Sequence, residues 1–169
     1  MPRTLPVYFY LALFCGLVAL NLSIYELVFA PRVFRVSVFG AGEGASAQAG
    51  NPALLQSPGG KTLLIDTGPD ASILRALGGT LPEWSRNIDE VILTSQKAAF
   101  SGGIRAIESR YRIGDRTSVG GKDIPYGTAF DFDGGAEITV ISPGSFRIAR
   151  GTDSFTISST TEPRTYVFK

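Results

Sequence analysis

Leu5 to Ala30 is an almost unbroken apolar run, and it constrains the chain more than any other stretch. A helix of about 20 such residues crosses the hydrocarbon layer of a bilayer. Tyr8, Tyr10 and Tyr25 stand where interfacial aromatics are expected, and Glu26 lies close enough to the far end to reach the headgroups. A secretory signal is the rival reading. Its apolar region is usually shorter, and Val28-Phe29-Ala30-Pro31 makes a poor small-x-small cleavage site. The sequence therefore reads as residues 1–32, a tail and membrane anchor, followed by one folded domain over 33–169. Arg3 precedes the span and Arg32 and Arg35 follow it, so charge alone does not orient it.

The 169 residues suffice for one domain with a real core. A net charge of +1, with Lys and Arg thinly spread, gives no general pull on nucleic acid. Cys15 is the single cysteine, which excludes an intramolecular disulfide. There is no histidine at all. Catalytic zinc sites draw on imidazole, whereas carboxylates alone suit calcium or magnesium, and no Asp-x-Asp loop presents several oxygens to one ion.

Arg35–Phe39 alternates and predicts a first strand; Ala53–Gln56 and Lys61–Ile65 predict two more around a Ser57-Pro58-Gly59-Gly60 turn. Ile73, Leu74 and Leu77 at helical spacing predict a helix over Ala71–Leu77, ended by Gly78-Gly79. Val91-Ile92-Leu93 is the centre of a buried strand starting at Ile88, and Gly102–Arg110 reads as the next helix. Beyond Arg110 the chain is β-rich. Strands are expected at Tyr111–Ile113, Ser118–Val119, Ala129–Phe132, Glu137–Ile141, Phe155–Ile157 and Tyr166–Phe168. Trp84 reads as a packing anchor.

Ligand sites in α/β architectures lie past the carboxyl end of such a strand, which here points to Thr94–Ser101. The residues there are Ser95, Gln96, Lys97, Ala98, Ala99 and Phe100, with no strong metal ligand among them. The frame Ile-Asp-Glu-Val-Ile-Leu-Thr, a divergent hexapeptide and Ser-Gly-Gly-Ile resembles the metallo-β-lactamase fold, most closely the soluble domain of ComEC-type DNA-uptake proteins. That family writes Thr-His-Pro-His-Ala-Asp-His, then an apolar residue and Gly-Gly. Thr94, Ala98, Gly102 and Gly103 match it, while the His positions carry Ser95, Lys97 and Phe100 and the Asp position carries Ala99. Leu64-Ile65-Asp66-Thr67-Gly68 resembles the family's Leu-Ile-Asp-x-Gly signature, and Gly42 and Gly44 match its Asp-Val-Gly-Gln-Gly-Asp-Ala loop, whose two Asp positions are Gly40 and Ala45.

The resemblance implies an α+β fold, part of a metallo-β-lactamase αββα sandwich, preceded by one transmembrane helix. It covers Val36 to about Ile157. It implies that Asp66 ties loops together behind the metals; on residue chemistry alone, Asp66 reads as a cap for the following helix. The family would bind zinc or another divalent metal. With every ligand replaced, no metal and no cofactor are expected here, and the domain reads as a non-catalytic binding or structural module. The implied partners are a membrane and a channel or competence protein, with nucleic acid bound without cleavage as a further reading. The implied topology is single-pass in the cell membrane, with the domain outside the cytoplasm. A different class of reading is a surviving hydrolase, metal-dependent or built on a Ser95/Lys97 pair near Asp66. Asp131 and Asp133 on one strand face are a further candidate metal pair, set against ordinary solvated hairpin carboxylates.

Overall fold

The computed structural model describes residues 7–29, 33–40, 50–121 and 123–168. It divides into two compact units between Ala30 and Pro31. The first contains helix α1, Val7–Phe29. Tyr8–Tyr25 within it is long and apolar enough to cross a membrane, and its described side chains are exposed. Asn21, a polar residue of this helix, turns its amide back to the Leu17 carbonyl at 2.9 Å, so part of its hydrogen-bonding capacity is met within the helix.

The second unit is a mixed α+β fold. Its first sheet holds β1 (Phe34–Val38), β2 (Ala53–Gln56), β3 (Thr62–Ile65), β4 (Asn87–Leu93), β5 (Arg112–Ser118) and the last strand, β10 (Thr165–Phe168), in the order β10-β1-β2-β3-β4-β5. Pairing is antiparallel except at β3–β4 and β4–β5, where helices make the parallel crossovers. These are α2 (Ile73–Thr80), α3 (Ala98–Ser101) and α4 (Ile104–Arg110). The second sheet is β6 (Ala129–Phe132), β7 (Ala136–Ser142), β8 (Ser145–Arg150) and β9 (Asp153–Ile157), a simple antiparallel meander.

β2 and β3 carry consecutive apolar residues, Ala53-Leu54-Leu55 and Leu63-Leu64-Ile65, because both of their faces are covered. Leu54 and Leu64 pack against Ile73, Leu77 and Ile107 of the helices. Leu55, Leu63 and Ile65 point the other way, into a core shared with Phe132, Ile138, Phe146 and Ile148 of the second sheet. The outward positions of the second sheet include the exposed polar residues Asp131, Glu137, Arg147 and Thr156. The layers are therefore helix, sheet, sheet: the αββ part of the four-layer arrangement.

Candidate functional site

β3 and β4 run parallel, so their carboxyl ends, Ile65 and Leu93, open on the same side of the sheet. Asp66 follows Ile65 and is fully buried, with φ +57°, the only positive φ at a non-glycine among the described residues. Aspartate tolerates that left-handed conformation better than most residues. Its Oδ1 accepts from Thr94 N at 2.8 Å and its Oδ2 from Thr94 Oγ1 at 2.7 Å. Burial pushes the Asp66 carboxyl up to about 7, against the pull of these two Thr94 hydrogen bonds. Asp66 thus does not cap α2; Asp70 Oδ1 accepts from Ser72 N at 2.8 Å near that helix's start instead.

Thr94 reaches further. Its hydroxyl accepts from Gly144 N at 2.7 Å, and its carbonyl accepts from the Tyr126 hydroxyl at 3.0 Å. One threonine therefore joins the ends of β3 and β4 to the β7–β8 turn of the other sheet.

The α3–α4 corner is pressed onto the loop after β3. Thr67 N donates to the Phe100 carbonyl at 2.8 Å, and Gly103 N to the Gly68 carbonyl at 3.1 Å. A Cβ on Gly102 would stand 2.0 Å from the Pro69 carbonyl oxygen, and one on Gly103 would stand 2.5 Å from that of Thr67. Both must be glycine for the two segments to approach this closely.

The four positions that the motif assigns to metal residues fall together on this corner. Ser95 is buried, and its Oγ accepts from Lys97 N at 3.3 Å. Lys97 is exposed and Ala99 half-buried. Phe100 is 6% exposed, and its ring lies against two backbone turns: a Cβ on Gly144 would meet it at 2.7 Å and one on Gly50 at 2.8 Å. Beside them an open cleft of about 280 Å³ is lined by Ser95, Gln96, Lys97, Val119, Gly120 and Tyr126.

The residues present do not fit a zinc ion. A hydroxyl, an ammonium, a methyl and a phenyl ring stand where imidazoles and a carboxylate are needed, and both oxygens of Asp66 are committed to Thr94. Among the described residues no three His, Cys, Asp or Glu side chains are grouped as a metal site would need. The contact between Ser95 and Lys97 runs through the Lys97 backbone N–H, not its amine. Asp131 is exposed on the outer face of β6, while Asp133 lies past the strand's end and accepts from Ser57 Oγ at 2.5 Å, so the two do not form a pair. Gly42, Gly44 and Ala45 lie outside the described residues. Gly50, Tyr126 and Gly144 are not legible in the sequence as parts of the site; Ser142-Pro143-Gly144 reads only as a turn.

No family model matches the sequence, and no curated protein matches it. Solved structures do resemble the fold. A Cronobacter sakazakii metallo-β-lactamase with a HARLDQ motif is 17% identical, with 72% of this chain and 61% of that one covered and a TM-score of 0.47. A mutant of that protein is 19% identical over 76% and 61%, at 0.48. A diphosphatase of the PhnP family is 14% identical over 72% and 64%, at 0.43. The likeness is one of fold. The chain spans about 60% of the length of the Cronobacter proteins.

Proposed function

We propose that this chain is a membrane-anchored, metal-free metallo-β-lactamase-like domain that acts as a binding or structural module. One observation carries the reading: the Phe100 ring occupies a ligand position of the motif and is packed against Gly50 and Gly144, while the loop scaffold around it, Asp66, Thr94, Gly102 and Gly103, is kept. Scaffold retention without donors favours a role that needs the shape and not the chemistry. The apolar helix Tyr8–Tyr25 supports the anchoring. The motif's likeness to ComEC-type domains supports an outward-facing domain linked to DNA uptake, through a channel or competence protein. The near-neutral charge makes a protein partner the better candidate than DNA.

The test is metal content and phosphodiesterase turnover of the full chain purified in detergent. The expected result is substoichiometric zinc, no turnover, and the same melting temperature with and without chelator. Stoichiometric zinc with turnover would overturn the proposal. Metal-free turnover that Ser95→Ala abolishes would replace it with the serine hydrolase reading.

A further inference from the structure

At the other end of the parallel β4–β5 pair, about 20 Å from the Thr94 corner, lies a second cleft of about 270 Å³. It is lined by Leu81, Glu83, Arg86, Arg110 and Tyr111, from the loop entering β4 and the end of α4. Two guanidiniums face one carboxylate there, a net charge of +1. The only ion pair among the described residues is Arg116–Glu108, so neither arginine is matched to a carboxylate by another element. Arg86 binds the Glu83 and Ser85 carbonyls through Nη1, the latter at 2.8 Å, which fixes its guanidinium while Nη2 and Nε make no hydrogen bond among the described residues. The Arg110 guanidinium lies 6.0 Å from the Tyr111 ring centroid and makes no hydrogen bond among the described residues. One arginine is thus held in place and the other leans on an aromatic face, each with N–H donors to spare.

We infer that this cleft is an oxyanion site, taking a phosphate group between Arg86 and Arg110. Guanidinium forks match phosphate oxygens two at a time, and a fixed fork loses less entropy on binding than a mobile one. The volume admits the anion together with its waters. Arg110 also offsets the carbonyl end of α4, which otherwise repels an anion. The site stands whether or not the motif corner is catalytic. Its phosphate comes either from solution or from a lipid headgroup.

Trp84, the chain's single tryptophan, is exposed in the same loop, between Glu83 and Arg86 in sequence, and serves as the fluorescent probe. The experiment follows Trp84 fluorescence of the full chain in zwitterionic micelles while inorganic phosphate is added, against chloride at matched ionic strength. In a second arm the micelles are doped with phosphatidic acid or with phosphatidylcholine. A saturable phosphate response, weakened about tenfold by Arg110→Ala, supports a site for the free anion. The same Arg110 dependence with phosphatidic acid alone assigns the site to the headgroup. Arg110→Gln keeps the packing over Tyr111 and serves if the alanine variant does not fold. Responses to both phosphate sources that match the chloride and phosphatidylcholine controls, or that survive both substitutions, overturn the inference.

Discussion

The Thr94 hydroxyl lies 2.7 Å from Asp66 Oδ2, and the Thr94 amide completes a two-point grip on the same carboxylate. Because Thr94 also holds Gly144 N, this pair is the joint between the two sheets at the motif end of the domain. Asp66→Ala leaves the buried Thr94 N–H and hydroxyl without their acceptor. The expected loss is about 2–4 kcal/mol of stability, read from chemical denaturation of the full chain. A loss below about 0.5 kcal/mol, the range of ordinary surface substitutions, would show that the joint is not structural.

The same carboxylate makes stability depend on pH. Burial raises the Asp66 pKa from 3.8 to about 7 in the fold, so the folded state holds a proton that the unfolded chain has released over that window. The Asp66 contribution to stability is then fully present below about pH 4, declines as pH rises from about 4 to 7, and is lost above. The displacement corresponds to at most roughly 4 kcal/mol. Glu90, also raised, chiefly by burial and then by Asp115, adds to the same trend. The comparison that isolates Asp66 is the denaturation midpoint at pH 5 and pH 8 in the parent and in Asp66→Asn. The variant is expected to lose most of the slope, and an unchanged slope would assign it to other groups.

Phe100 is a packing residue at a position where the sequence resemblance implies a ligand. Phe100→Ala empties the space against Gly50 and Gly144 and is expected to cost about 3–5 kcal/mol. Gly144→Ala attacks the same packing from the other side, with a Cβ 2.7 Å from the ring and a φ of +68° that disfavours any side chain. Both variants should unfold at clearly lower denaturant, whereas Lys97→Ala, exposed on the same corner, should stay within about 0.5 kcal/mol of the parent.

How much of this fold is visible in the sequence follows from burial. β2, spanning Ala53–Gln56, and the apolar centre of β4 stand out because they are covered on both faces. β5 is legible only at its ends, as Tyr111–Ile113 and Ser118–Val119. As the sheet's edge it is exposed along Gly114-Asp115-Arg116 and carries no apolar alternation there. β8 escapes the sequence reading although Phe146 and Ile148 alternate with exposed Arg147, because Ser142-Pro143-Gly144 reads as the end of a strand and not as a hairpin tip. α3 is a single turn between a loop and a glycine pair, too short for a periodic signal. At the site, the motif locates Asp66, Thr94 and the glycines, but Gly50, Tyr126 and Gly144 come from segments far along the chain, and only the fold brings them together.

The glycines separate into those that a side chain would break and those it would help. Gly102 and Gly103 face carbonyl oxygens at 2.0 and 2.5 Å from any added Cβ, so Gly102→Ala and Gly103→Ala must push the loop after β3 away from the α3–α4 corner. Each is expected to cost more than about 3 kcal/mol, because the hydrogen bond from Thr67 N to the Phe100 carbonyl breaks as the corner opens. Gly78 lies inside α2 with nothing within 4 Å of its added Cβ. Alanine there removes unfolded-state freedom without strain, and Gly78→Ala should stabilise the domain by about 0.5–1 kcal/mol. Thermal and urea unfolding of the three variants side by side decides the matter. Equal behaviour of Gly78→Ala and Gly102→Ala would mean that the corner can open without penalty, and that glycine at 102 and 103 answers to something other than the close approach of Pro69 and Thr67.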